Sequence, residues 1–388
     1  MKLIRSLLFM TPIAALLAAP GTSAYAHIPP QEHPTGTPLE QGLWWLYHLK
    51  YDEARELFEQ YIAAHPKEPA GYFYKTAADW WQLAQQFDTD LPAIRDRLEQ
   101  DYLATVRVAE DLMRSTENPN VKAKACLYSG GAQGLKGRWL VTQGSWIKAY
   151  FLGKNGHKLL KRALKLDPEL YDAYLGLGIY DYFTDTLPGV QKVLAALFIR
   201  GDRERGLSEL RLAIEKGEHA RVEAMMFLIE IYTWEERSPA QALPLSTKLH
   251  AEFPKSPAMS LAHIMTLYEL RDWDALKPAA LEYLQRSQKE VPYYRREGTY
   301  PARYCLGVAA LWGQRDMNTS MKYMQEIVME DVESSRWVTF AYLRMGQIYD
   351  VEGERDKALD HYKKVLSRPD FWGSHNEAKA CLKRPFKF

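Results

Sequence analysis

The chain has 388 residues, enough for about two or three domains or for one long array of repeats. Its 50 Lys and Arg residues balance 49 Asp and Glu residues, so the net charge of +1 gives no overall attraction for a polyanion such as nucleic acid. Charged residues make up 26% of the chain and hydrophobic residues 47%, which argues against overall disorder, and three cysteines exclude a disulfide-rich scaffold.

The first 26 residues have the pattern of a secretory signal peptide. Lys2 and Arg5 precede an apolar stretch, and Ala26 ends a small-x-small sequence of the kind that signal peptidase cleaves. The apolar stretch is shorter than the roughly 20 residues of a membrane-spanning helix, although an uncleaved anchor is the alternative. We expect cleavage after Ala26 and export to the periplasm. Residues 27–37 are rich in proline and are expected to form an extended leader.

The body of the chain, residues 38–369, has the pattern of a run of helix hairpins. In the last of them Gly346 and Ala358 are small where two helices cross, and Pro369 ends the second helix. Gly42 and Ala54 take the same places in the first hairpin. No segment alternates convincingly with period two, so strands are expected to be nearly absent. About eight hairpins are predicted, near 38–67, 70–114, 121–167, 170–217, 220–253, 257–290, 300–331 and 338–368.

This spacing of large, small and helix-ending residues resembles the tetratricopeptide repeat (TPR) family, and three segments show it in register. The resemblance implies an all-α fold, an α-solenoid of stacked TPR-like helix hairpins, that binds a protein or peptide partner. Residues 370–388 are expected to be a C-terminal tail. Of the three cysteines, Cys126 and Cys305 lie in apolar helical patterns and are expected to be buried, whereas Cys381 is expected to be exposed.

A glycine-rich helix interrupts the repeat pattern. Gly130, Gly134 and Gly137 lie three or four residues apart, so they share one face of the helix. A phosphate-binding loop would need a different spacing and a preceding strand. The pattern therefore favours close packing against another helix over ligand binding.

An insertion near 187–199 interrupts the pattern a second time. It is predicted to be a short amphipathic helix, and the residues of its apolar face are docking candidates: Val190, Val193, Leu194, Leu197 and Phe198. Two alternatives stay open, since this face either covers the solenoid's own groove or docks onto a partner or membrane. Residues from about 121 to 215 resemble uncharacterised exported bacterial TPR proteins and, more distantly, the eukaryotic inclusion-body-clearance TPR family. The resemblance implies a scaffold linked with membrane or lipid-associated assemblies.

The sequence lacks the motifs of common enzymes. It contains no His-Glu-x-x-His and no Gly-x-Ser-x-Gly. Asp181 and Asp185 have the spacing of an acid–base pair on one helix face, but a solvated helix end is the favoured interpretation. We predict no enzymatic activity, no cofactor and no metal. The predicted function is a non-enzymatic scaffold for protein–protein interaction in the cell envelope; the alternative is a glycan- or peptide-binding, or hydrolytic, solenoid with an aromatic-lined groove.

The register of the repeats predicts which residues of the first helices face a groove. These partner-binding candidates are aromatic, amide, acidic or apolar: Tyr72, Asp79, Gln82, Leu177, Tyr180, Asp181, Tyr304, Trp312, Leu343, Gln347 and Asp350. Trp80 is expected to point toward another helix or the groove, since its neighbour Trp81 takes the core position. Association with an envelope membrane stays open, and nucleic acid is not an expected partner.

Overall fold

The structure, a computed structural model, describes residues 36–84, 91–186, 201–289, 294–330 and 335–388. In these residues the chain forms 17 α-helices, two short π-helical segments and one 3-10 turn, and no strand occurs in the described part. The fold is an all-α solenoid of helix hairpins, as predicted. The predicted signal peptide and most of the leader lie outside the described residues, and so does the 187–199 insertion with its five docking candidates.

Most consecutive helices pack against one another. The first nine are α1 (Pro38–Tyr47), α2 (Tyr51–Ala64), α3 (Ala70–Ala84), α4 (Pro92–Ser115), α5 (Pro119–Thr142), α6 (Trp146–Leu166), α7 (Ala173–Asp185), α8 (Arg203–Lys216) and α9 (Arg221–Glu230). The remaining eight are α10 (Pro239–Glu252), α11 (Pro257–Leu270), α12 (Trp273–Gln288), α13 (Thr299–Val308), α14 (Met317–Val328), α15 (Arg336–Val351), α16 (Arg355–Leu366) and α17 (Ser374–Lys383). Each segment predicted to be a hairpin corresponds to two consecutive helices.

The described chain divides into two compact units. The N-terminal unit contains the described residues up to Ile231 together with Ala251–Ser256, and the C-terminal unit contains Tyr232–His250 and Pro257–Phe388. Within the N-terminal unit, the first helix of each hairpin contacts the first helix of the next, so that α1, α3, α5, α7 and α9 form one layer. This layer carries the candidate site described below.

Side-chain caps at several helix starts explain why the helices begin where they do. Thr37 accepts a hydrogen bond from the Glu40 N–H at 3.3 Å, and the Glu40 carboxylate accepts one from the Thr37 N–H at 2.6 Å, which is a complete capping box ahead of α1. Asp202 accepts from the Arg205 N–H at 3.0 Å and so caps the start of α8.

Small residues let the two helices of the first and last hairpins cross closely. A Cβ at Gly42 would lie 2.4 Å from the Phe58 ring, and a Cβ at Gly346 would lie 2.6 Å from the Tyr362 ring. Each glycine therefore makes room for an aromatic ring of the second helix. Ala54 and Ala358, the small residues predicted on the second helices, are fully buried one turn before those rings.

The glycine-rich helix α5 packs closely against α6. The predicted close packing is present at Gly130 and Gly137. A Cβ at Gly130 would lie 3.0 Å from the Gly156 carbonyl oxygen, and a Cβ at Gly156 would lie 2.8 Å from the Gly130 carbonyl oxygen. A Cβ at Gly137 would lie 3.4 Å from the Ala149 carbonyl oxygen. Gly134 differs, because a Cβ there would meet no atom within 4 Å. Gly130 and Gly137 therefore lie at the contact with α6, whereas Gly134 borders open space.

Part of the C-terminal tail predicted for residues 370–388 is helical. Residues 374–383 form α17, which packs on α15 and α16. Arg355 holds its end by donating to the carbonyl oxygens of Cys381 and Leu382 at 2.8 and 2.9 Å. The prediction that Cys381 is exposed is therefore wrong, because α17 turns it inward and leaves it 7% exposed. Cys126 and Cys305 are buried as predicted, and all three thiols are free.

The two kinds of glycine in the α5–α6 hairpin give a matched test of the packing. Gly156→Ala should destabilise the protein by about 1–3 kcal/mol, because the new methyl group meets backbone that cannot turn aside. Gly134→Ala should instead stabilise it by about 0.5–1 kcal/mol, since the space is open and alanine favours a helix. Urea unfolding of both variants measures the difference. Equal effects of the same sign would show that the helices do not approach as described.

Candidate functional site

A cavity of about 800 Å³ lies inside the N-terminal unit. Side chains of all five first helices line it, including Leu43 from α1, Phe73 from α3, Leu135 from α5, Ile179 from α7 and Phe227 from α9. The second helix α6 closes one side with a row of residues from Trp146 to Leu160. The volume falls in the range of known ligand pockets, and the walls are mainly apolar and aromatic.

Glycines make this cavity deep on the side of α5 and α6. Gly130, Gly134, Gly137, Gly153 and Gly156 all line it. Gly130 and Gly156 bring the two helix backbones together, whereas Gly134 leaves its share of the wall without a side chain. The glycine pattern that the sequence assigned to helix packing therefore also shapes a pocket.

Arg138 is the cation at the cavity wall whose environment is most unusual. Its guanidinium lies between two aromatic rings, with its central carbon 4.4 Å from the centre of the Trp80 ring and 4.6 Å from that of Phe227. The Nε atom is buried and has no hydrogen-bond partner in the described part of the chain. Burial lowers the pKa of Arg138, and the nearby carboxylates of Glu223 and Glu230 oppose this shift.

Two acidic side chains that line the cavity, Glu223 and Asp172, serve the fold. Glu223 accepts a hydrogen bond from the indole N–H of Trp81, and burial raises the pKa of the Glu223 carboxyl. Asp172 accepts from the backbone N–H groups of His219 and Ala220, each at 3.0 Å, and so joins the start of α7 to the start of α9. Because these acceptors have donors of their own, a ligand acceptor that reached the Arg138 Nε would satisfy an unused donor.

A second group of titratable side chains lies at the α6–α7–α8 contact. His157 stacks on Tyr180 with ring centres 4.1 Å apart, and burial lowers its pKa to about 4. Asp181 accepts from the Arg205 Nε at 2.5 Å. Burial, and then the charge of Asp181, raise the pKa of Glu209 to about 7. The interpretation of Asp181 as part of a solvated helix end is wrong, because its side chain is 1% exposed.

Of the three predicted site residues in α7, one lies on the cavity. Tyr180 lines it, half-buried, whereas Leu177 and Asp181 are buried. In α3, Asp79 is buried and paired with Arg55 at 2.8 Å and Arg97 at 3.2 Å. Gln82 accepts from Arg97 at 3.1 Å, and Tyr72 donates to the Pro66 carbonyl oxygen at 3.3 Å.

The predicted site residues of the C-terminal unit are also engaged within the protein. Leu343, Gln347 and Tyr304 are buried, at 0%, 1% and 2% exposure. Asp350 accepts from Arg355, Tyr362 and the Phe386 N–H. Trp312 packs on Phe386 and Phe388. The prediction that these positions face an open groove is wrong for the buried ones, because neighbouring helices and the C-terminal residues cover them.

Trp80 does point toward another helix, as predicted, and Arg138 is what it meets. Arg138 was not among the predicted site residues. Its sequence signal is a cation directly before the apolar run Trp139-Leu140-Val141 near the end of α5, four residues after Gly134. The sequence does not show that Trp80 of α3 and Phe227 of α9 enclose this guanidinium, or that its Nε has no hydrogen-bond partner among the described residues.

Comparison with known proteins agrees with the repeat pattern. Residues 39–68 and 340–370 match the tetratricopeptide repeat family. The first and last hairpins are therefore similar to tetratricopeptide repeats, and the helices between them continue the solenoid. No curated protein matches the sequence.

Several solved structures share the helical architecture at low identity. The yeast Tom70 crystal structure has a TM-score of 0.40 at 10% identity, covering 89% of this chain and 88% of that chain. The human IFIT1 dimer with m7Gppp-AAAA scores 0.46 at 10% identity, covering 92% and 82%. The same human protein with PPP-AAAA scores 0.29 at 15% identity, covering 85% and 71%. Likeness at this level carries no inference about binding.

Two further features are absent from the described residues. None of the described helices is both long and apolar enough to cross a membrane. In the same residues, no three His, Cys, Asp or Glu side chains come together as a metal ion would require.

The raised pKa of Glu209 predicts a pH-dependent stability. Because its folded-state pKa of about 7 lies above the ordinary value of 4.5, the stability contributed by the protonated form is present below about pH 4.5 and is lost as the pH rises through 7. Glu209→Gln stays neutral, so its stability relative to the parent should increase by about 1–3 kcal/mol between pH 5 and pH 8.

Chemical denaturation at several pH values measures this difference. Glu215→Gln, on the exposed face of the same helix, is the matched control and should run parallel to the parent. A Glu209→Gln curve that also runs parallel would contradict the burial of this carboxyl.

Proposed function

We propose that the chain is a non-enzymatic TPR scaffold, exported to the cell envelope, whose cavity in the N-terminal unit binds an apolar segment of a protein partner. The observation that supports this most directly is the cavity itself, formed by five successive first helices and α6. Because its walls come from six helices of successive hairpins, the stacking of the solenoid shapes this cavity, and no single loop does. Such a surface suits an extended or helical segment of another protein.

The character of the walls supports an apolar segment with a single polar anchor. Burial of apolar surface contributes about 25 cal/mol per Å², so a few Leu or Phe side chains of a partner supply most of the affinity. A partner carbonyl or carboxylate oxygen completes the site by accepting from the Arg138 Nε. Trp80 and Phe227 hold the guanidinium in place for that contact.

The environments of the polar groups favour binding over catalysis. Asp172 caps the start of α9, Glu223 accepts from Trp81, and His157 is stacked with a pKa of about 4. A general base works best with a pKa near the working pH and with a proton within reach. These three side chains instead stabilise the packing of the helices around the cavity.

A bulky side chain at Gly134 tests this function. Gly134→Trp projects into the open wall and should weaken partner binding by at least about tenfold, or 1.4 kcal/mol, while the thermal melt changes little. The partner is first captured with a photocrosslinking amino acid at Leu135, identified by mass spectrometry, purified, and titrated against each variant. Glu110→Trp, at an exposed position of α4 outside the cavity, is the matched control.

The outcome that contradicts the proposal is equally definite. If Gly134→Trp and Glu110→Trp bind the purified partner as the parent does, the cavity is not the binding site. If the purified protein turns over a glycan or peptide substrate and Gly134→Trp abolishes that turnover, the site is catalytic.

Export is supported by the sequence pattern of Met1 to Ala26 and predicts a defined N-terminus. In a Gram-negative host, the protein recovered from the periplasmic fraction should begin at His27. N-terminal sequencing and intact mass measure this. Recovery of the full-length chain from the cytoplasm would contradict export and would leave the cavity proposal in place.

A further inference from the structure

The α5–α6 hairpin carries a concentrated positive charge that the balanced composition of the whole chain conceals. Residues 118–166 contain no Asp or Glu and ten basic residues: Lys122, Lys124, Lys136, Arg138, Lys148, Lys154, Lys158, Lys161, Arg162 and Lys165. Subtracting these ten from the 50 Lys and Arg of the chain leaves 40 against 49 acidic residues elsewhere. A local excess of this size attracts an anionic surface.

The basic residues of α6 share one exposed stripe. Its inner face is buried through Ala149, Gly156, Leu160 and Ala163. The opposite face exposes Lys154, Lys158, Lys161, Arg162 and Lys165, which recur at helical spacing. None of these five cations has an ion pair with another described residue. The stripe is therefore fully available to an anionic partner.

The same stripe begins with apolar side chains. Ile147 is 75% exposed and Phe151, one turn further, is 62% exposed. They are the one adjacent pair among the large exposed apolar side chains of the described residues. Trp139 and Trp146 lie half-buried on either side of the hairpin turn beside them. An apolar tip with tryptophans, followed by a row of lysines, is the composition of a segment that lies at a membrane interface.

We infer that the exposed face of α6 docks on a bilayer that contains anionic lipid. Ile147 and Phe151 enter below the headgroups, Trp139 and Trp146 lie at their level, and the lysines of the stripe contact lipid phosphates. A nucleic acid would contact the same cations, but it would gain nothing from the exposed Ile147 at the end of the stripe, whereas a bilayer would bury it. Since Ile147 and Phe151 also line the cavity, docking places one wall of the cavity at the lipid surface.

Vesicle binding tests this directly. The full-length protein is titrated against phosphatidylcholine vesicles with and without phosphatidylglycerol, and binding is followed by co-sedimentation. We expect binding only with phosphatidylglycerol, and we expect it to weaken as NaCl rises from roughly 0.05 to roughly 0.5 M. Lys158→Gln, Arg162→Gln and Lys165→Gln together should weaken it roughly a hundredfold, at about fivefold per charge. Ile147→Ser with Phe151→Ser should weaken it at least about tenfold.

Matched variants separate this surface from general effects. Lys322→Gln, Lys379→Gln and Lys387→Gln remove three exposed charges elsewhere, and Leu103→Ser with Met329→Ser removes two exposed apolar side chains elsewhere. Both controls should bind vesicles as the parent does, and all variants should show the parent's circular dichroism and melting temperature. Every variant keeps the same N-terminus, so any contribution of residues 1–26 is common to all.

Three outcomes overturn the inference. They are no binding to phosphatidylglycerol vesicles, binding that the α6 variants leave unchanged, and loss in the lysine variant alone accompanied by tight binding to a single-stranded oligonucleotide. The last would assign the stripe to a polyanion in place of a membrane. Gly134→Trp should retain vesicle binding, so failure of the cavity proposal and failure of this inference are distinguishable.

Discussion

The backbone contact between Gly130 of α5 and Gly156 of α6 is the constraint on which the N-terminal unit depends. Neither residue has a side chain, so each carbonyl oxygen lies 3.0 Å or less from the place where the other's Cβ would be. Two long helices thereby pack almost backbone to backbone. The close approach fixes the rotation of α6, because the face that carries Gly156 must point inward.

That rotation has consequences on both sides of α6. On the inner side it brings His157 and Leu160 to the cavity, beside the part of the wall that Gly134 of α5 leaves without a side chain. On the outer side it presents Phe151 and the basic stripe to the surroundings. One helix crossing thus shapes both a pocket for an apolar ligand and a surface that suits an anionic partner.

Much of the fold could be predicted from the sequence, because the same spacing of large, small and helix-ending residues recurs along a repeat array. The spacing of large, small and helix-ending residues marked the helix pairs, and glycines such as Gly42 marked the close crossings. Which aromatic ring of the facing helix fills the space at each glycine does not follow from spacing along the chain. The C-terminal helix α17 was missed, since its apolar positions are few and a basic ending resembles a frayed terminus.

The site was less predictable for a physical reason. Repeat register states which way a residue points within its own hairpin, but not which side chain of another element covers it. Asp79 is paired with Arg55 of the preceding hairpin, and Asp350 accepts from the Phe386 N–H of the C-terminal residues, so residues outside their own hairpins cover both. The positive charge of the α5–α6 hairpin can be read from the sequence of residues 118–166, but the net charge of the whole chain does not show it.

The central claim is that the cavity of the N-terminal unit is where the partner binds. A crystal structure of the protein with its purified partner tests this most directly. The account predicts apolar partner side chains against Gly134 and an acceptor oxygen within hydrogen-bond distance of the Arg138 Nε. A complex in which the partner lies on another face, with the cavity unchanged and the Arg138 Nε still without an acceptor, would contradict it.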